Sequence, residues 1–156
     1  MKPITLQQAL ARAAALCSRS EHAPGDIATR LRSWGLTAAQ ANDVVNSLIE
    51  QNFINTERFA RAFTHDKAAY NGWGRIKIAY HLRLKVIDQS AIDDALATID
   101  DDAYRDTLTR LLQNKWREVS GREPQAARAA LLRFATSRGF ELDLVRGLCS
   151  TLFNLV

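Results

Sequence analysis

Proline and glycine are scarce in this chain, with 3 and 7 copies in 156 residues. These two residues interrupt helices and strands, so few breaks are expected, and collagen-like or proline-rich disordered chains are excluded. No stretch alternates β-branched and polar residues for long enough to predict a strand. No apolar run approaches the ~20 residues of a membrane-spanning helix, so no membrane contact is expected. Only two cysteines are present, Cys17 and Cys149. They lie far apart, lack CxxC spacing and sit among apolar neighbours, which predicts buried thiols and neither a disulfide nor a zinc site. His22, His65 and His81 fall in separate segments with no HExxH pairing, so no metal is expected. A G-x-S-x-G elbow is also missing. An enzyme and a cofactor are therefore not expected. The start, Met1-Lys2-Pro3-Ile4-Thr5 followed by a Gln- and Ala-rich segment containing Arg12, does not read as a signal peptide, which predicts a cytoplasmic protein.

What the chain has is helix formers and an internal repeat. Apolar residues make up 47% of it, and Ala, Leu, Arg and Gln are abundant. The turn Arg32-Ser33-Trp34-Gly35-Leu36 recurs as Ser137-Arg138-Gly139-Phe140, with Arg83-Leu84-Lys85-Val86-Ile87 midway. Aligning Gly35, Val86 and Gly139 brings apolar residues into columns: Ile27, Ile78 and Leu131, then Leu31, Leu82 and Ala135, then Leu36, Ile87 and Phe140. Ala41, Ile92 and Val145 follow, then Val44, Ala95 and Leu148, then Val45, Leu96 and Cys149, and last Leu48, Ile99 and Leu152. The final four columns have the i, i+3, i+4, i+7 spacing of one helix face. The predicted fold class is all-α, with three tandem three-helix repeats at 5–52, 53–99 and 100–156 in an extended, curved arrangement. Helices are expected at 5–18, 26–34 and 38–51, at 56–70, 74–85 and 89–99, and at 102–119, 124–137 and 141–154. Asp26 or a neighbour, Thr37, Asn55 or Thr56, Asp88 and the Asp100-Asp101-Asp102 run are the expected caps. Val86 breaks the glycine column, and a β-branched residue resists positive φ, so either the middle turn is built differently or the alignment there is off by one residue.

Charge is uneven. Residues 53–87 hold seven Lys/Arg against two acids, whereas 88–102 hold six Asp and no base. Arg75, Lys77, His81, Arg83 and Lys85 fall within eleven residues, and Lys77, His81 and Lys85 are spaced i, i+4, i+8 into one stripe, with Trp73 at its mouth. Lysine and arginine beside an aromatic suit phosphate contact with base stacking, and equally an acidic protein surface; a merely solvated helix face is the plainer reading. Arg58 and Arg61 add to the charge one helix earlier, and Arg128, Arg133 and Arg138 are expected to give the third copy a weaker basic face. Gly72-Trp73-Gly74-Arg75 lacks the GK[ST] ending of a nucleotide loop and reads as a tight turn, although free amides opening the next helix would favour an anion next to Arg75.

Several segments together resemble the RecX family, regulators of the RecA recombinase. They are Ser20-Glu21-His22, Leu31-Arg32-Ser33-Trp34-Gly35-Leu36, Phe53-Ile54, Arg58-Phe59-Ala60, Gly72-Trp73-Gly74-Arg75-Ile76, Leu82-Arg83-Leu84-Lys85, Arg133-Phe134 and Ser137-Arg138-Gly139-Phe140. The likeness covers about residues 10–150. Asn55-Thr56 replaces the acidic pair usual in the family, and Val86 replaces its glycine. The resemblance implies a cytoplasmic, non-catalytic protein that binds RecA filaments on DNA, single-stranded or duplex, and suppresses ATP hydrolysis and strand exchange in recombination and DNA repair. A monomer is expected. An alternative is a helical DNA-binding transcriptional regulator, which would need base-reading side chains at the start of a recognition helix; the third helices are expected to be acidic or apolar there.

Overall fold

The computed structural model describes residues 3–156, so the reading of the N-terminus lies partly outside the described residues, at Met1 and Lys2. The described residues form nine α-helices and no strand: α1 Leu6–Arg19, α2 Pro24–Ser33, α3 Ala38–Glu50, α4 Thr56–Ala69, α5 Arg75–Leu84, α6 Gln89–Leu96, α7 Asp101–Val119, α8 Pro124–Ser137 and α9 Leu142–Phe153. The expected all-helical architecture of three-helix copies holds. No helix is long and apolar enough to cross a membrane among the described residues.

Local chemistry sets the helix starts. Thr5 and Thr37 each accept from the amide of the residue three on, while Gln8 and Gln40 return a side-chain bond, making two capping boxes. Asn55 accepts from the Arg58 amide, Asp88 from Ala91 and Asp100 from Ala103, as the caps of α4, α6 and α7. Asp26 is not a cap. Pro24 starts α2 two residues earlier than expected, with its fixed φ replacing a side-chain bond, and Asp26 falls in the first turn. Helix α6 stops at Leu96, short of the expected 99, and the Thr98 hydroxyl bonds the Ala95 carbonyl there.

Five of the seven apolar columns are buried in all three copies; the other two loosen only at Leu96, Ile99 and Leu152. Burying each such Leu or Ile contributes about 1.5–3 kcal/mol before entropy is counted. The chain divides into two compact units. Unit 1 is the chain up to Ala62 with Leu82–Asp94, and unit 2 is Phe63–His81 with Ala95–Val156. The core of unit 1 includes Ala13, Cys17, Ile27, Leu31, Val45 and Leu48. That of unit 2 includes Leu108, Leu112, Leu131, Phe140, Val145 and Cys149. Both cysteines are free and buried, and burial raises both thiol pKa values.

The middle turn is not built differently. Val86 adopts φ +61°, in the same left-handed region that Gly35 (+103°) and Gly139 (+95°) approach. Its bonds also match. Val86 N–H donates to Arg83 O and Ile87 N–H to Leu82 O, as Gly35 to Arg32 with Leu36 to Leu31, and Gly139 to Thr136 with Phe140 to Ala135. This is the two-bond helix stop that glycine normally serves. The buried apolar residue that follows, Ile87 in this copy, fixes the turn. Val86 is 88% exposed, so removing its side chain costs little packing. Val86→Gly is therefore expected to stabilise the protein by about 1 kcal/mol, the cost of a left-handed β-branched residue less the added freedom of glycine when unfolded. A denaturation midpoint that stays or falls would contradict this account.

Candidate functional site

Unit 2 gathers cations around one indole. Tyr70 ends α4 with a bond to Asp66 O, and Gly72 at φ +65° turns the chain, so that Trp73 N–H donates back to Lys67 O at 3.0 Å. This puts Trp73 between the last turns of α4 and the first turns of α5. Lys67 Nζ lies 4.8 Å and Lys77 Nζ 4.5 Å from its ring centroid. The His81 ring is 4.7 Å away, tilted 42°, and Phe63 meets the indole edge at 6.2 Å. Cations over an aromatic face are held by the ring quadrupole, at about 0.5–1 kcal/mol each where exposed. Trp73 is also a wall of a cavity of about 270 Å³, with Tyr104, Ile99 and Ala103 among the apolar lining and Thr98, Asp100 and Thr107 among the polar.

The turn before α5 is fixed by a second glycine contact. A Cβ on Gly74 would lie 2.2 Å from the Gly139 carbonyl carbon, and one on Gly139 would lie 2.3 Å from Lys77 Cβ. Backbone contact this close allows Gly74 N–H to donate to Arg138 O at 2.8 Å and Ile76 N–H to Gly139 O at 3.0 Å. The Arg75 amide donates to the Tyr104 hydroxyl at 2.9 Å. The amides of Gly74, Arg75 and Ile76, expected to be free at this helix start, are thus already used. The tight-turn reading of Gly72-Trp73-Gly74 holds, for this reason.

Arg75 faces inward on the same turn. Its guanidinium sits 4.0 Å over the Tyr104 ring, bonds Glu141 at 2.9 Å and reaches Asp101 at 2.7 Å. The Tyr104 hydroxyl donates a short hydrogen bond to Glu141. Burial, then the Glu141 bond, pushes the Tyr104 pKa well above its usual value. Burial alone would raise the Glu141 pKa, but the bonds from Tyr104 and Arg75 outweigh it and hold the carboxyl below its usual range. Burial opposes the Arg75 charge too, and the Glu141 bond overcomes it, so that guanidinium stays charged.

The other predicted site residues separate into two kinds. Arg58 and Lys85 are in ion pairs within unit 1. Arg58 Nε meets both Glu21 oxygens at 2.5 and 2.7 Å, and its Nη2 donates to Asn52 and Phe53 carbonyls, while Lys85 meets Asp26 at 2.7 Å. The Glu21 bond is the main cause of a raised Arg58 pKa. Arg83 donates to Gln89 at 3.1 Å. Gln89 opens α6, so that helix start is polar, not acidic or apolar as expected; its side chain is held by Arg83 and Asp93. Arg61 and Arg133 are exposed and enter none of the ion pairs found among the described residues, while Arg138 lies 5.0 Å over Phe134. So the Lys77, His81, Lys85 stripe does not act as one: Lys77 and His81 meet Trp73, and Lys85 has an acid of its own. Sequence reasoning missed Lys67, six residues before Trp73, and Lys115, 5.4 Å over Phe134. The i, i+4 pair Phe63 and Lys67 just before the Asn71-Gly72 break was the available signal, but Phe63 reads there as core. No cluster of three metal-ligating side chains exists among the described residues, and Asp100 is used as a cap.

Fold and site together define an all-α protein of tandem three-helix copies with a cation-flanked tryptophan. The model described as RecX, second three-helix domain, matches residues 55–96, the span of α4 to α6. Regulatory protein RecX of Chromobacterium violaceum is 31% identical over 138 residues, 87% of this chain and 85% of that one. The Leptothrix cholodnii protein of the same name is 30% identical over 137 residues, covering 86% and 83%. The crystal structure of RecX from Lactobacillus salivarius matches with a TM-score of 0.82 over 97% of each chain at 18% identity, a likeness of fold. The chain belongs to the RecX family of regulatory proteins.

Two outcomes follow from the geometry around α5. Gly74→Ala should destabilise the protein by about 3 kcal/mol, because backbone on both sides must move; a loss under about 1 kcal/mol in urea unfolding would refute the contact. Glu141→Gln should cost about 1 kcal/mol at neutral pH, its partial exposure limiting the loss of charged bonds. Because the folded pKa of Glu141 is lowered, its contribution is complete above the ordinary glutamate range of about pH 4–5 and vanishes as pH falls through the folded pKa. The gap between wild type and variant should therefore close in acid; a gap independent of pH would contradict the ionic network.

Proposed function

We propose that this chain regulates the RecA recombinase without catalysing a reaction. It binds RecA filaments on DNA and inhibits their ATP hydrolysis and strand exchange in recombination and DNA repair, acting in the cytoplasm as a monomer. The observation that carries this reading is the similarity, along more than four fifths of both chains, to a protein named as a RecX regulatory protein. The chemistry of unit 2 supports it. Lysines on the face of a partly exposed tryptophan suit a strand whose bases stack and whose phosphates need cations.

The contact residues we assign are Trp73, Lys77 and His81 with their neighbour Lys67, and the exposed Arg61, Arg83 and Arg133, with Arg138 beside Phe134. Arg58, Arg75 and Lys85 would have to leave an ion pair to reach a partner, so their first role is to hold the fold. RecA's DNA-dependent ATPase, measured with sub-stoichiometric amounts of the protein, should fall. No inhibition, combined with tight sequence-specific duplex binding, would favour a transcriptional regulator instead. Replacing Lys67, Trp73 and Lys77 together by Ala should raise the concentration needed for half inhibition by about tenfold or more. Unchanged potency in a variant of native helicity would remove this face from the contact.

A further inference from the structure

Unit 1 carries its own concentration of positive charge, which none of the residues above supplies. Arg12 and Arg19 lie seven residues apart on α1, on one face with Ala15 and Leu16. Arg30 and Trp34 are four apart at the end of α2 and its cap. These six residues line a cavity of about 270 Å³, with no acid among them. The Arg12 guanidinium sits 4.5 Å from the centroid of the Trp34 ring.

The local charge is uncompensated for a specific reason. Between residues 3 and 35 the only acids are Glu21 and Asp26. Glu21 is bound by Arg58 at 2.5 and 2.7 Å, and Asp26 by Lys85 at 2.7 Å. Arg12, Arg19, Arg30 and the adjacent Arg32 are all exposed, and none joins an ion pair among the described residues. The two carboxylates nearest them in sequence are held by other cations. Like charges crowded around a cavity attract an anion into it.

We infer that this cavity takes one nucleotide unit of a single-stranded nucleic acid. Arg12, Arg19 and Arg30 contact its phosphodiester, and its base stacks on the platform made by Trp34 and the Arg12 guanidinium. Guanidinium forks match phosphate oxygens in pairs and also stack flat on bases. A carboxylate would use the arginines but not the stacked planes of Trp34 and Arg12, which favours a base over an acidic side chain, and a base paired within a duplex could not reach them. The inference rests on the proposed function only in taking DNA to be at hand, and it gives unit 1 a strand contact that needs no RecA.

The test is anisotropy of a fluorescein-labelled oligothymidylate with the full chain and no recombinase, across a range of salt. Arg12→Ala/Arg19→Ala/Arg30→Ala should weaken binding by about tenfold or more and flatten the slope of log K against log salt by about 0.7, the share of one single-strand phosphate. Trp34→Leu should weaken binding by about tenfold with an unchanged slope. If circular dichroism shows that Trp34→Leu has lost helix, Arg12→Lys replaces it; this keeps the charge and removes the planar stack, and should weaken binding at constant slope. Wild-type affinity and slope in the triple variant would overturn the site. Wild-type affinity in the stacking variant would reduce it to a diffuse charged surface and overturn it as a nucleotide site. Equal displacement by thymidine monophosphate at matched nucleotide concentration would overturn the strand as ligand in favour of free nucleotide. ATPase inhibition without oligonucleotide binding sinks this inference alone; oligonucleotide binding without ATPase inhibition sinks the proposed function alone.

Discussion

Gly74 and Gly139 meet backbone to backbone, so closely that neither position has room for a Cβ. Much of unit 2 follows from that contact. It directs the amides of Gly74 and Ile76 at the carbonyls of Arg138 and Gly139, which satisfies donors that would otherwise be orphaned at the start of α5. It sets Arg75 over Tyr104 with Glu141 and Asp101 in reach. The same rotation of α5 points Lys77 and His81 at Trp73. A structural contact thereby places the candidate site, and the residue that looks most like a ligand-binding arginine in the sequence is the one that locks the helix.

The repeated turn shows a similar dominance of packing over local preference. Glycine fits the left-handed residue at the first and third stops, and valine is forced into it at the second, with the same pair of hydrogen bonds. The residue that follows is apolar and buried each time, as Leu36, Ile87 and Phe140. Burying that side chain contributes about 1.5–3 kcal/mol, enough to offset the cost of about 1–2 kcal/mol for one left-handed non-glycine residue. The turn therefore persists without its glycine.

Charge is the link between fold and function here, and pairing decides which charges are available. Arg58, Arg75 and Lys85 are matched to carboxylates. Because Arg58 and Lys85 take Glu21 and Asp26, the arginines of α1 and α2 are left without acids of their own. The pairing of one set creates the isolation of the other. Two places then combine unneutralised cations with an indole, one at Trp73 in unit 2 and one at Trp34 in unit 1.

The sequence by itself determined the helices, most of their caps and the apolar columns, because these depend on spacing within about ten residues and on side chains that bond their own backbone. Thr37, Asn55, Asp88 and Asp100 cap as their positions imply, and the columns led by Ile27, Leu31, Leu36, Ala41 and Val44 are buried in every copy. Tertiary structure alone decided the partners of the charged residues. Arg75 and Glu141 are 66 residues apart, and Lys85 and Asp26 are 59 apart; no local spacing announces such pairs. It also decided that Val86 would take a glycine's conformation, since the force holding it there comes from the burial of Ile87. A stripe of basic residues could be read along the chain, but which of its members still has a charge to offer depends on acids that only folding brings near.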